Sequence, residues 1–312
     1  MISDCDSQLM SQTNNEVIVM KRVLVVLISL GLLGGLFYAL TFSESPTTEG
    51  DRAERLNITV VVDLSNRIDP DRHPGQVARD KAALESVLAA FREEVKRKLF
   101  IASHDRLSVG LAPQKGNPAA FGYLDSLSID MGETPLDERR RSFDASASTF
   151  RRYLDTLYAD AADLKRYWGA DLWRYFAGLQ VDTVTASGAP IRNVMVVLSD
   201  GYLIAEDNMY REGCRTNYLN DSILEQFREK PNWERKFKRQ DCGFIPAQRD
   251  LGNLEVLIIG LRPRSYFNEA AILRTYWAKW MQEMGVQRIA IHPSCKSPKD
   301  CRSLVRGFME GR

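Results

Sequence analysis

Three short apolar runs limit the folds open to this chain more than any other feature. They are ITVVVD at 58–63, NVMVVLS at 193–199 and LEVLIIG at 254–260. A near-continuous run of β-branched and apolar residues suits a strand buried on both faces, which is the setting of parallel sheets covered by helices. Amphipathic segments lie between and after these runs. Residues 78–99 carry Leu84, Val87, Leu88, Phe91, Val95 and Leu99 at helical i, i+3, i+4 spacing. Further helices are predicted over residues 150–161, 171–179, 273–284 and 296–309, with Gly285 ending the third of these as a C-cap. Shorter strands are predicted at 107–111 and 286–291. Strands alternating with helices predict an α/β sheet that is mostly parallel and covered on both faces.

A different kind of apolar run precedes this region. Residues 23–42, VLVVLISLGLLGGLFYALTF, contain no charge for twenty residues. At about 1.5 Å per residue that length crosses the roughly 30 Å hydrocarbon core of a bilayer. Lys21 and Arg22 lie directly before it, and no base follows until Arg52. This asymmetry predicts a single span with its N-terminus in the cytoplasm and the bulk of the chain outside, periplasmic or extracellular. The alternative is a cleaved signal peptide, although the apolar region is long for one and no clear small-x-small site follows it. Either Met1 or Met20 can be the start. The expected organisation is a cytoplasmic segment at 1–22, an anchor at 23–42, a polar linker at 43–56 and one α/β domain at 57–312. That domain carries an insertion at about 202–251.

The cysteines agree with export. Cys5 precedes the apolar run, whereas Cys214, Cys242, Cys295 and Cys301 all follow it. Four cysteines in an oxidising compartment suggest two bridges. Cys214–Cys242 with Cys295–Cys301 is the local pairing among three connectivities. There is no CxxC pair to suggest zinc. The charges nearly cancel, with 42 Lys+Arg against 41 Asp+Glu, which gives no electrostatic case for nucleic acid.

In open α/β sheets ligands bind beyond the carboxyl ends of the strands. Two of the apolar strands end in acidic motifs there: residues 63–67, DLSNR, and residues 199–201, SDG. Asp63 and Ser65 bring a carboxylate and a hydroxyl to one side, and Asp200 adds another oxygen. Hard oxygens converging in this way suit Mg²⁺ or Mn²⁺.

With these motifs the chain resembles the von Willebrand factor type A (vWA) family from about Ile58 to Met309. The resemblance implies a doubly wound sheet with a metal-ion-dependent adhesion site at the strand ends. Asp63 and Ser65 match the family's Asp-x-Ser-x-Ser motif, and residues 197–201, VLSDG, match its later Asp turn. Arg67 stands where the family has its second Ser. Arginine is not a metal ligand, and its guanidinium can instead take the cation's place by pairing with Asp63 or Asp200. For the family's middle Thr, residues 132–136, GETPL, offer Thr134 by letters. Residues 169–173, GADLW, offer Asp171 by order and spacing, which favour Asp171.

The expected function is a membrane-anchored, exported module that binds another envelope protein, with a divalent cation as the implied cofactor. The alternatives are a metal-dependent hydrolase of phosphate or glycan groups, and a structural subunit of an envelope complex with a dead metal site. Against catalysis, there is no GxSxG, HExxH, P-loop or dinucleotide fingerprint. Within the insertion, residues 228–239, REKPNWERKFKR, carry six bases with Trp233 and Phe237, which suggests a contact surface for a partner.

Overall fold

The computed structural model describes residues 54–112, 124–163, 170–186, 188–204, 209–264 and 266–311. The span predicted at 23–42 lies outside them. Among the described residues, no helix is long and apolar enough to cross a membrane. In chain order the first elements are β1 (Arg55–Val62), α1 (Gln76–Arg97), β2 (Arg106–Leu111), β3 (Ser128–Asp130), α2 (Arg139–Asp163) and α3 (Leu172–Ala177). Next come β4 (Ile191–Leu198), β5 (Arg211–Glu212), β6 (Arg215–Thr216), α4 (Asp221–Leu224), α5 (Trp233–Arg239) and β7 (Gly243–Phe244). The chain closes with β8 (Leu254–Ile259), α6 (Glu269–Glu283), β9 (Arg288–His292) and α7 (Pro298–Met309). Strand β1 takes in the last two residues of the expected linker.

The main sheet has the order β3-β2-β1-β4-β8-β9. Every neighbouring pair is parallel except β2 with β3, which is antiparallel. The predicted parallel α/β sheet is therefore present, with an antiparallel edge strand that three residues were too few to signal. From β1 the chain runs outward through β2 to β3, then returns to β4 and runs the other way. The direction of winding thus changes between β1 and β4.

Alternation along the strands divides the interior in two. Leu56, Ile58, Val60 and Val62 of β1 face a first core with Phe91 of α1, Phe150 and Leu157 of α2, and Val305 of α7. Val61, Met195, Val197, Val256 and Ile258 face a second core with Phe176 of α3 and Trp277 and Trp280 of α6. Both tryptophans are fully buried, so the apolar stripe of α6 is core.

The segment at 202–251 folds onto the second core. It forms a small sheet of order β5-β6-β7. Trp233 and Phe237 of α5 are buried in that core. The aromatic residues expected on a contact surface are thus structural, and only the bases around them, such as Arg235 and Lys238, face solvent. Two disulfides form, Cys214–Cys242 across this segment and Cys295–Cys301 ahead of and within α7, with Cα separations of 4.5 and 5.2 Å.

Candidate functional site

Parallel pairing of β1 with β4 sets Val62 beside Leu198, so Asp63 and Ser199 leave the sheet side by side at the switch of winding. Asp63 N donates to Leu198 O (3.0 Å) and Ser199 N to Ile259 O (3.2 Å). Gly260 follows β8 at φ +117°, and a Cβ there would lie 2.8 Å from Ser199 O. The tight junction of β1, β4 and β8 therefore needs glycine at this point.

The buried Asp63 carboxylate accepts a hydrogen bond on each oxygen. Its Oδ1 accepts from Ser65 N (2.9 Å) and its Oδ2 from Ser199 Oγ (2.8 Å). Arg67 Nε lies 3.8 Å from the same Oδ2 and donates to Asp63 O at 2.7 Å. Arg67 is only 1% exposed. Its Nη1 and Nη2 grip Asp80 of α1 at 3.2 and 2.7 Å, and Nη2 also donates to Leu198 O at 2.9 Å. Asp80 further accepts from Gln76 Nε2 (2.9 Å) and Tyr158 Oη (3.0 Å). Burial works against the Arg67 charge, but the fields of Asp80 and then Asp63 outweigh it and hold the guanidinium protonated. Burial, then Asp80, raises the Tyr158 phenol well above its usual range.

These residues do not fit a divalent ion. Each Asp63 oxygen already accepts a hydrogen bond, the second-hydroxyl position is an arginine, and a cation already stands beside the carboxylate. Among the described residues, no three acidic, histidine or cysteine side chains come together as a metal group. Asp171, expected as a ligand, instead caps α3, accepting from Arg174 N at 2.9 Å. Thr134, the other expected ligand, stands at the wrong end. Asp130 of β3 pairs with Arg106, the first residue of β2, so the loop after β3 emerges at the opening end of the parallel strands. Thr134 Oγ1 donates to Asp130 O there, at 3.1 Å. Arg67 lies near Asp63, one of the two carboxylates weighed as its partner, but its main partner is Asp80, which sequence reasoning misses. The signal was present: Asp80 lies four residues before Leu84 and seven before Val87, so it puts a carboxylate on the apolar stripe of α1.

Asp200 lies next to this junction on the edge of a cleft of about 430 Å³. Tyr202 N donates to its Oδ1 at 3.3 Å. Burial, and then the nearby Asp63 charge, raises the Asp200 pKa to about 6, with Arg67 and Arg262 opposing. Arg72, His73, Arg262 and Arg264 also line the cleft. Arg264 is tied to Asp221 and lies 4.7 Å over the Tyr202 ring. The half-buried Arg262 guanidinium has no hydrogen-bonded partner among the described residues, and burial lowers its pKa. Burial and then Arg262 lower that of His73. The cleft thus collects three guanidinium groups beside Asp200, which ionises reluctantly; Arg72 is also paired with Asp69 and Arg264 with Asp221. On the same loop as Arg262, Phe267 is completely exposed.

Compared with protein-family models and with curated proteins, the chain matches none. Among solved structures it is similar to the pilus adhesin SpaC from Lactobacillus rhamnosus GG, in two crystal structures, one of them an open conformation. Identity is 11% in each case, and the TM-scores are 0.38 and 0.36. The matches cover 83% and 84% of this chain but only 30% of the adhesin chain.

Proposed function

We propose that this chain is a vWA-like interaction module that works without a resident metal ion. The 23–42 span holds it at the outer side of the cytoplasmic membrane, and its strand-end face binds an acidic segment of another envelope protein. The observation that carries this reading is the cleft beside the switch of winding, where Arg72, Arg262 and Arg264 line the surface. Beneath it Arg67 stands beside Asp63, its charge balanced by Asp80 and Asp63. Phe267, fully exposed on the same loop, adds an apolar contact beside the charges, a combination that suits protein interfaces. The order of the six strands, with DLSNR and LSDG meeting at the β1–β4 crevice, supports the vWA-like reading. The two disulfides support an oxidising compartment.

The test is co-purification of cross-linked partners from membranes carrying the full chain, with and without Arg262→Glu and Phe267→Ala. Wild-type chain is expected to retain a discrete partner that both variants lose. Equal retention by wild type and both variants would contradict the proposal.

A further inference from the structure

A parallel sheet is normally apolar on both faces, and one quadrant of this sheet is not. On the face of the second core, the first half of β1 presents Asn57 and Thr59, β2 presents Ser108 and Gly110, and β4 begins with Asn193. Their strand neighbours on the opposite face, Ile58, Leu107 and Val109, are core residues. Helix α3, only six residues long, leaves this quadrant open as a groove of about 370 Å³. That is within the lower part of the roughly 300–1,000 Å³ range of small-molecule sites.

The groove floor retains hydrogen-bonding capacity. Thr59 Oγ1 and Ser108 Oγ meet at 3.4 Å, as do Asn57 Nδ2 and Asn193 Oδ1, and contacts this long are weak. Asp125 and Asp182 stand on the walls, with carboxylates that have no partner among the described residues. Tyr175 completes the lining. A Cβ on Gly110 would lie 2.5 Å from Tyr175 Oη, so glycine in mid-strand is what lets the ring lie over β2. The Tyr175 hydroxyl has no hydrogen bond among the described residues. Burial raises its pKa, which keeps it a neutral phenol able both to donate and to accept.

We propose that this groove binds a neutral saccharide. Hydroxyls and amides on the floor match a ligand rich in hydroxyls, each of which both donates and accepts. A carboxylate can accept from two neighbouring sugar hydroxyls at once, and Asp125 and Asp182 both line the groove. Two carboxylates against Arg106, itself 3.9 Å from Asp130, disfavour an anion. The sparse apolar lining disfavours a lipid.

The experiment is saturation-transfer NMR and affinity titration on the full chain, held in a detergent without a sugar headgroup. The probes are glucose, N-acetylglucosamine, cellobiose and chitobiose, with inorganic phosphate as the anionic control. At least one sugar is expected to bind saturably at millimolar concentration or below. Ser108→Val and Asp182→Ala are each expected to weaken it about tenfold or more, as loss of a hydrogen-bonding group in a polar site does, with melting temperatures unchanged. Tyr175→Phe should weaken it with the fold intact. No sugar binding at tens of millimolar, or binding that none of these variants weakens, would overturn the proposal. Preference for phosphate over every sugar would overturn it as well.

Discussion

Replacing Asp80 by alanine removes the main counter-charge of Arg67 and should be among the most damaging single changes in the domain. The guanidinium is 1% exposed and Asp80 is 4% exposed, so solvent cannot take the place of the lost carboxylate. Two of the contacts to Arg67 disappear, at 3.2 and 2.7 Å, together with the acceptors of Gln76 and Tyr158. Breaking a buried pair from one side costs about 3–5 kcal/mol, because the remaining charge is left uncompensated. Asp63, with Oδ2 at 3.8 Å, softens the loss and favours the lower half of that range. For a domain of this size the expected fall in melting temperature is about 6–15 °C. Thermal melts by circular dichroism on the detergent-solubilised chain read it directly. The double change Arg67→Met/Asp80→Leu leaves no orphaned guanidinium and should cost less than Asp80→Ala alone. An Asp80→Ala loss below about 1 kcal/mol, in the range of a surface pair, would refute the reasoning. A double variant as damaged as the sum of the two single changes would refute it equally.

Asp200→Asn should stabilise the fold above the pH where Asp200 ionises. The folded pKa of about 6 lies above the ordinary carboxylate value of 3.8, so the folded state resists ionisation as pH rises. The asparagine advantage should be near zero below about pH 3, grow between about pH 4 and 6 and level off above about pH 7 at about 1–3 kcal/mol. Urea melts across that pH range check it, and a pH-independent difference would count against a half-buried Asp200 in the field of Asp63, Arg67 and Arg262. Opening the Cys214–Cys242 bridge by Cys214→Ala/Cys242→Ala frees a loop with a sequence separation of 28. It should cost about 3–4 kcal/mol on the chain-entropy argument, measured as a loss of denaturation midpoint under non-reducing conditions. The shorter Cys295–Cys301 loop, with a separation of 6, should cost about 2 kcal/mol.

The main sheet was legible because its central strands are buried on both faces and therefore read as unbroken apolar runs. The helices were legible where their stripes are long, as in α1 and α6. Strand β3 was not, since three residues carry no period, and neither were the two-residue strands of the 202–251 segment. That segment misled through its charge: Trp233 and Phe237 sit among six bases in sequence, yet helix α5 turns both rings into the core while most of the bases face water. At the strand ends, Asp63, Arg67 and Asp200 were visible as a local motif, and Arg67 was visible as a cation standing in place of a hydroxyl. Its partner Asp80 was harder to see because the pair joins a strand-end loop to a helix thirteen residues later, and its only trace is a carboxylate on an apolar stripe. Arg262 and the polar groove are products of tertiary placement. No spacing in the sequence links Arg262 to Asp200 across 62 positions, or Ser108 to Asp182.

The place proposed for the Arg67 guanidinium, at the cation position at the end of β1, is tested most directly by a melting curve with added metal. Mg²⁺ and Mn²⁺ are titrated to millimolar concentration into the full chain at pH 7.5, and the melting temperature is followed. A site that binds the ion in the folded state would gain about 2.7 kcal/mol at a hundred times its dissociation constant, a shift of several degrees. The predicted result is a melting temperature that does not move with either ion. A saturable rise that Asp63→Ala abolishes would contradict the account.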